Sequence, residues 1–180
     1  MAVLLKTGAV GEREEALVQL VAAGAELELA ECLATGDPLA AHLASSGLWE
    51  CWLNEEGPQA RQEMETGIAL MNEKEFAGAE KFFRELHQRF PKWAEALNKL
   101  ATLLYLRGQA ALSLPLCEKV ISLKPHHFGA WNGLALCAVQ LEDWPTALQA
   151  ARRALQLQPA AAGNEEIIQL AREMLDEAPE

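Results

Sequence analysis

The sequence predicts an all-α chain built around a stack of repeated helix pairs, and three observations carry that prediction. Pro91, Pro125 and Pro159 stand 34 residues apart, and a fixed period of about 20–50 residues marks a repeat array. Placing each proline at position 32 starts the units at Ala60, Ala94 and Phe128. Position 8 then reads Gly67, Ala101 and Ala135, and position 20 reads Ala79, Ser113 and Ala147. Small side chains at both places let the two helices of a pair nearly touch. Helix formers also dominate the chain, and Gly and Pro fall mostly where helices should end.

Taken in order, residues 1–11 look loose. From 12 to about 34, Leu17, Leu20, Val21, Leu27 and Leu29 recur at near-helical spacing, with Gly24 as a possible dent. The run Thr35-Gly36-Asp37-Pro38 reads as a stop and a start: Gly36 ends one helix, Asp37 caps the next, and Pro38 suits its first turn. A helix of about a dozen residues is expected to follow, broken near Ser45-Ser46-Gly47, before Trp49 and Trp52 share a helical face. Gly57-Pro58 then punctuates the chain.

Each repeat reads as a first helix, a short turn, a second helix and a proline-marked exit. The turns fall at 72–75, 107–109 and 142–143, with Asp143 as the N-cap for Trp144-Pro145. Pro115 lies inside the second helix of the middle unit, where it should remove one backbone hydrogen bond and kink the helix. Residues 160–163 read as a linker, Asn164 as a cap, and 165–175 as a polar-faced helix of the kind that closes an array against solvent. The expected organisation is an acidic helical extension over 1–58, units at 60–93, 94–127 and 128–161 with the array proper ending at Pro159, and a capping helix over 163–177.

Net charge is −11, unevenly spread. Residues 1–60 carry two basic and ten acidic groups, 61–159 twelve basic and ten acidic, and the tail from 160 one basic and six acidic. Acidic flanks around a near-neutral array leave no basic stripe for phosphates, so nucleic acid is an unsuitable partner. No run approaches the ~20 apolar residues that span a membrane, and the apolar run at 2–5 is too short for a signal peptide. Cys32, Cys51, Cys117 and Cys137 form no C-x-x-C pair, which points to buried free thiols in a reducing compartment.

His126-His127 invites a metal reading, but no acidic or thiol partner lies at ligand spacing, so a solvated turn is expected there. His42 and His87 are isolated, and no nucleophile–base pair or Gly-rich phosphate loop stands out. The expectation is a non-enzymatic protein without cofactor or metal.

On these residues the chain resembles the tetratricopeptide-repeat family over residues 60–159: the 34-residue period, the small residues at positions 8 and 20, Glu63, Leu97 and Trp131 at position 4, and Thr66, Leu100 and Leu134 at position 7. Position 24 reads Phe83, Cys117 and Ala151. The resemblance implies an α-solenoid that binds proteins and catalyses nothing by itself. It places Trp131 in the core and Trp93 at a seam between units. Trp49 and Trp52 are expected to dock the N-terminal helices against the first unit, the alternative being an exposed partner patch.

Such domains bind peptides mostly on the concave wall of their first helices, at positions 2, 5, 9 and 12. Here those are Arg61, Met64, Ile68 and Met71, then Glu95, Asn98, Thr102 and Tyr105, then Gly129, Asn132, Leu136 and Val139. Asn98 and Asn132 repeat at one position, where an amide could both donate to and accept from a peptide backbone. Relatives that hold a chaperone's C-terminal carboxylate want Lys and Asn where this chain has Met64 and Ile68, and basic residues where it has Gly129 and Gly133. Heat-shock chaperone tails are therefore disfavoured. The runs at 101–108 and 125–130 look similar to small three-repeat proteins of bacteria and plastids, which implies a soluble intracellular protein of the cytoplasm or of an organelle such as the chloroplast, its transit peptide removed. The expected role is a partner segment gripped in the groove. The alternatives are an assembly factor or structural subunit working through convex or N-terminal surfaces, and an oligomerisation element.

Overall fold

The computed structural model describes residues 1–159 and 161–176, and among these the chain forms eleven helices and no strand. Four N-terminal helices come first: α1 (Ala2–Thr7), α2 (Val10–Ala22), α3 (Glu26–Leu33) and α4 (Pro38–Asn54). Three antiparallel pairs follow: α5 (Gly57–Asn72) with α6 (Phe76–Arg89), α7 (Ala94–Leu106) with α8 (Ala110–Leu123), and α9 (Phe128–Gln140) with α10 (Trp144–Leu157). The chain closes on α11 (Asn164–Asp176), which buries Ile167 and Ala171 against the last pair. Ala160 of the expected linker and residue 177 of the expected capping helix lie outside the described residues.

The 34-residue period is written into the backbone as well as the side chains. Lys74, Gly108 and Glu142 occupy the same place in successive units, and each turns the chain in the left-handed region, with φ of 63°, 72° and 58°. Only Gly108 does so without steric cost. Within the pairs, a Cβ on Gly67 would come within 2.7 Å of the Phe83 ring. In the middle unit the hydroxyl of Ser113 donates to the Ala101 carbonyl at 2.7 Å, so position 20 is tied to position 8. Asp37 and Asp143 cap α4 and α10, accepting from the amides of Ala40 and Thr146. Pro115 sits within α8, which continues on both sides of it.

The N-terminal quarter departs from its expected form. Residues 1–11 hold α1 and the start of α2 rather than a loose lead. Gly24, at φ 62°, breaks the expected single helix into α2 and α3 instead of denting it. Conversely, α4 runs unbroken through Ser45-Ser46-Gly47. Gly47 is there for packing: a Cβ on it would lie 2.6 Å from Leu17 and 3.1 Å from Leu29. These helices form their own core around Leu5, Leu29, Leu33, Leu48 and Trp52, which reaches into the array through Phe128 and Leu157.

Candidate functional site

The first helices α5, α7 and α9 stand side by side, and α4 packs on α5 and α7. Their near half, positions 2 and 5, is where α4 lies. Arg61 pairs with Glu50 of α4 at 2.5 Å and with Glu65 at 2.8 Å. Met64 is fully buried in the cluster that includes Phe83 and Trp93, with Leu53 of α4 packed on it. On α9, a Cβ on Gly129 would meet Trp49 at 2.9 Å. Lys99 places its Nζ 5.0 Å from the centre of a Trp49 ring.

On α7 the near half is a buried polar cluster. Glu95 has no exposed surface. Its Oε2 lies 3.0 Å from His127 Nε2 and accepts from Asn98 Nδ2 at 3.1 Å, while Lys99 lies 2.8 Å from its Oε1. Burial works to raise the Glu95 carboxyl, but the hydrogen bond from His127 and the Lys99 charge prevail and hold it below the ordinary carboxylate range. Because the Ala130 amide donates to His127 Nδ1 at 3.1 Å, the ring proton sits on Nε2 and points at Glu95. Both imidazole nitrogens are thus engaged. The ring also stacks on Trp52, with centroids 4.0 Å apart and planes 15° from parallel.

The expected solvated turn at His126-His127 is therefore corrected: α4 covers it. Trp93 points the same way, since its indole donates to the Trp52 carbonyl at 2.7 Å. Trp49 and Trp52 dock the N-terminal helices, but across the seams and onto the third unit as well as the first. Gln158, at the exit of α10, donates to Ser45 of α4 at 3.0 Å. Trp131 is not core. It is half-buried, lines a surface groove with Leu148 and Gln149, and donates to the Pro125 carbonyl.

A second, half-buried link ties α3 to the seam before α9. Glu26 accepts from Lys124 at 2.9 Å, from Trp52 Nε1 at 3.0 Å, and lies 3.0 Å from His126 Nε2. Lys124 also reaches Glu55 at 3.3 Å. Burial works to raise the Glu26 carboxyl, yet the hydrogen bonds from His126, Lys124 and Trp52 outweigh it and hold it at about 2.

The far half of the wall is different. Ile68 and Met71 on α5, Tyr105 on α7, and Leu136 and Val139 on α9 are half-buried, and Thr102 is exposed. Asn132 is half-buried beside Trp49, whereas Asn98 is committed to Glu95. The burial of His127 was missed from the sequence, although one signal was available. The 34-residue register sets His127 in the place of Trp93, so an expectation of packing at one seam implied it at the other.

Among the described residues no group of His, Cys, Asp and Glu is arranged to hold a metal ion, and no helix is long and apolar enough to cross a membrane.

With this geometry in hand, known proteins supply the frame. No family model matches the chain. A TPR repeat-containing protein of Rhizobium etli is 30% identical over 112 residues, 62% of this chain and 55% of that protein, so the chain spans about half the length of the curated relative it matches. The first TPR of Spaghetti (RPAP3), solved with the HSP90 peptide SRMEEVD, superposes with a TM-score of 0.63 at 14% identity, covering 66% of this chain and 94% of that one. The fold is that of tetratricopeptide repeats. MamA from Desulfovibrio magneticus RS-1 superposes with a TM-score of 0.55 at 21% identity over 87% of this chain and 92% of its own. That longer match reaches beyond the three helix pairs.

Proposed function

We propose that this protein is a non-enzymatic interaction module that takes a segment of a partner protein along the far half of its concave wall. The observation that carries the reading is the contrast within α7. Glu95 and Asn98 are buried under α4, while Thr102, a turn further on, is exposed and Tyr105 half-buried, as are Ile68, Met71, Leu136 and Val139 at the matching positions of α5 and α9. These are mostly apolar and include an adaptable methionine, which suits apolar side chains of an extended or helical peptide. A chaperone carboxyl tail remains a poor fit: Met64 is buried, and Gly129 and Gly133 bring no cation to the wall. Four buried free thiols suit a reducing compartment.

A second reading has its own support. Among the described residues, the most exposed large apolar side chains are Val3, Leu27 and Val18, all in the N-terminal helices. A partner docking there would make the protein an assembly factor or structural subunit. A photo-crosslinking amino acid placed at Tyr105 or at Val18, in cells of the native organism, separates the two. Capture of one discrete protein from Tyr105 and none from Val18 supports the wall. The reverse pattern transfers the function to the N-terminal face.

A further inference from the structure

We infer that the groove along the exposed face of α10, beside Trp131, is a docking site for an acidic segment of a partner protein that also carries apolar side chains. Alanines fill the buried stripe of α10, at Ala147, Ala150, Ala151 and Ala154, so its larger side chains are turned elsewhere. Pro145, Leu148, Gln149, Arg152 and Gln156 follow one another at helical spacing, and all line the groove together with Arg153 and with Trp131 of α9. The space measures about 370 Å³. A stripe from 145 to 156 is about 16 Å long at the helical rise, which matches about five residues of extended chain. Trp131 donates its indole N–H to the Pro125 carbonyl at 2.9 Å, which anchors the ring while it stays half-buried. A second hollow of about 280 Å³, lined by Ile121 of α8 and Leu134, shares Trp131 and Gln149 with the first, so apolar surface continues past the ring.

The charge of this groove is opposite to that of the chain. With 26 acidic groups against 15 basic, carboxylates are in excess, and Arg13, Arg61, Arg84, Arg89 and Arg107 each pair with one. Among the described residues Arg152 and Arg153 meet no carboxylate, and Arg153 spends only one N–H, on Gln156 at 3.2 Å. No acidic side chain belongs to α10 or lines the groove. A guanidinium presents a planar fork of donors that matches a carboxylate, so aspartate or glutamate is the group these two arginines fit. Trp131, Pro145 and Leu148 supply the apolar surface for the side chains between. A nucleic acid fits less well, because its long run of phosphates would also face the acidic flanks of the chain. Neither arginine stands on the wall of first helices, so this site is separate from the one proposed above and does not depend on it.

The test titrates the ¹⁵N-labelled full chain with a peptide of repeated Leu-Glu-Asp. One counterpart carries glutamine and asparagine in place of the acids, and another carries serine in place of leucine. The readout is the indole N–H signal of Trp131, assigned by its loss in Trp131→Phe. A saturable shift is expected with the acidic, apolar peptide, weakening as salt rises, with an affinity at least about tenfold lower for either counterpart. Arg152→Glu with Arg153→Glu should abolish the shift. The melting temperature should stay near that of the unaltered chain, because the buried alanine stripe of α10 is untouched. Arg152→Gln alone, at an exposed position, is the milder variant and should weaken binding severalfold. Absence of a saturable shift, equal affinity for the uncharged counterpart, or unchanged affinity in Arg152→Gln overturns the assignment. So does tighter binding of oligouridylate than of the peptide, which would give the arginines to phosphates. Self-association that the double variant loses would give the groove to a second copy and overturns it too.

Discussion

Positions 2 and 5 and positions 9 and 12 lie on the same helices one to two turns apart, yet they meet opposite environments. On α7 the near pair, Glu95 and Asn98, is buried in a polar cluster closed by Lys99 and His127. Of the far pair, Thr102 is exposed and Tyr105 half-buried. The repeat itself makes no such distinction. What makes it is α4, which is not part of the period and lays Trp49, Leu53 and Trp52 along one half of the wall only. A position that repeats in sequence therefore does not repeat in function once a non-repeating element docks on the array.

Removing the main covering side chain should collapse the contrast. Trp52→Ala takes away the stack on His127 and the largest member of the N-terminal core, and a loss of about 3–5 kcal/mol is expected in urea unfolding. Hydrogen exchange in the variant should quicken at Glu95 and Asn98 far more than at Thr102 and Tyr105. Equal quickening at both would mean that something other than α4 seals the near half.

Acid should loosen the same cover. The Glu26 carboxyl sits at about 2 in the folded chain against an ordinary 4.5. A depressed folded value means that folding favours the charged form, so the stabilisation is whole above the ordinary value and fades as pH falls toward 2. Its size is on the order of 2 kcal/mol. Urea unfolding at about pH 6 and about pH 3 should show a smaller difference for Glu26→Gln than for the unaltered chain, which has the charge to lose. Equal differences would take Glu26 out of the docking.

The two asparagines give the smallest and sharpest test. Asn98→Ala should cost about 1–2 kcal/mol, since Glu95 loses a buried donor. Asn132→Ala should change stability by less than about 0.5 kcal/mol, as expected for a half-buried residue away from such a network. Similar losses at both would return them to one role and erase the contrast between the halves.

The array was legible because its determinants are local and recur. Prolines at a fixed interval, small residues where helices touch, and turn residues at 74, 108 and 142 each act within one unit, and the backbone repeats them. The site was only partly legible. Ile68, Met71, Thr102, Tyr105 and Leu136, picked by register, keep some surface exposed, but Met64 and Asn98 fell beneath a cover that register does not describe. Ser45-Ser46-Gly47 read as a break because Gly and Ser are poor helix formers. It is helical because the missing Cβ of Gly47 makes room for Leu17 and Leu29.

By itself, then, the sequence determined the helix pairs, their period and the small contacts that let them stack, because those follow from propensity and spacing within a few turns of chain. Only the tertiary structure decided which half of the wall stays open. That choice rests on pairs such as Glu26 with Lys124 and Ser45 with Gln158, 98 and 113 residues apart. The strength of such contacts depends on burial, and burial exists only after the N-terminal helices and the array have met.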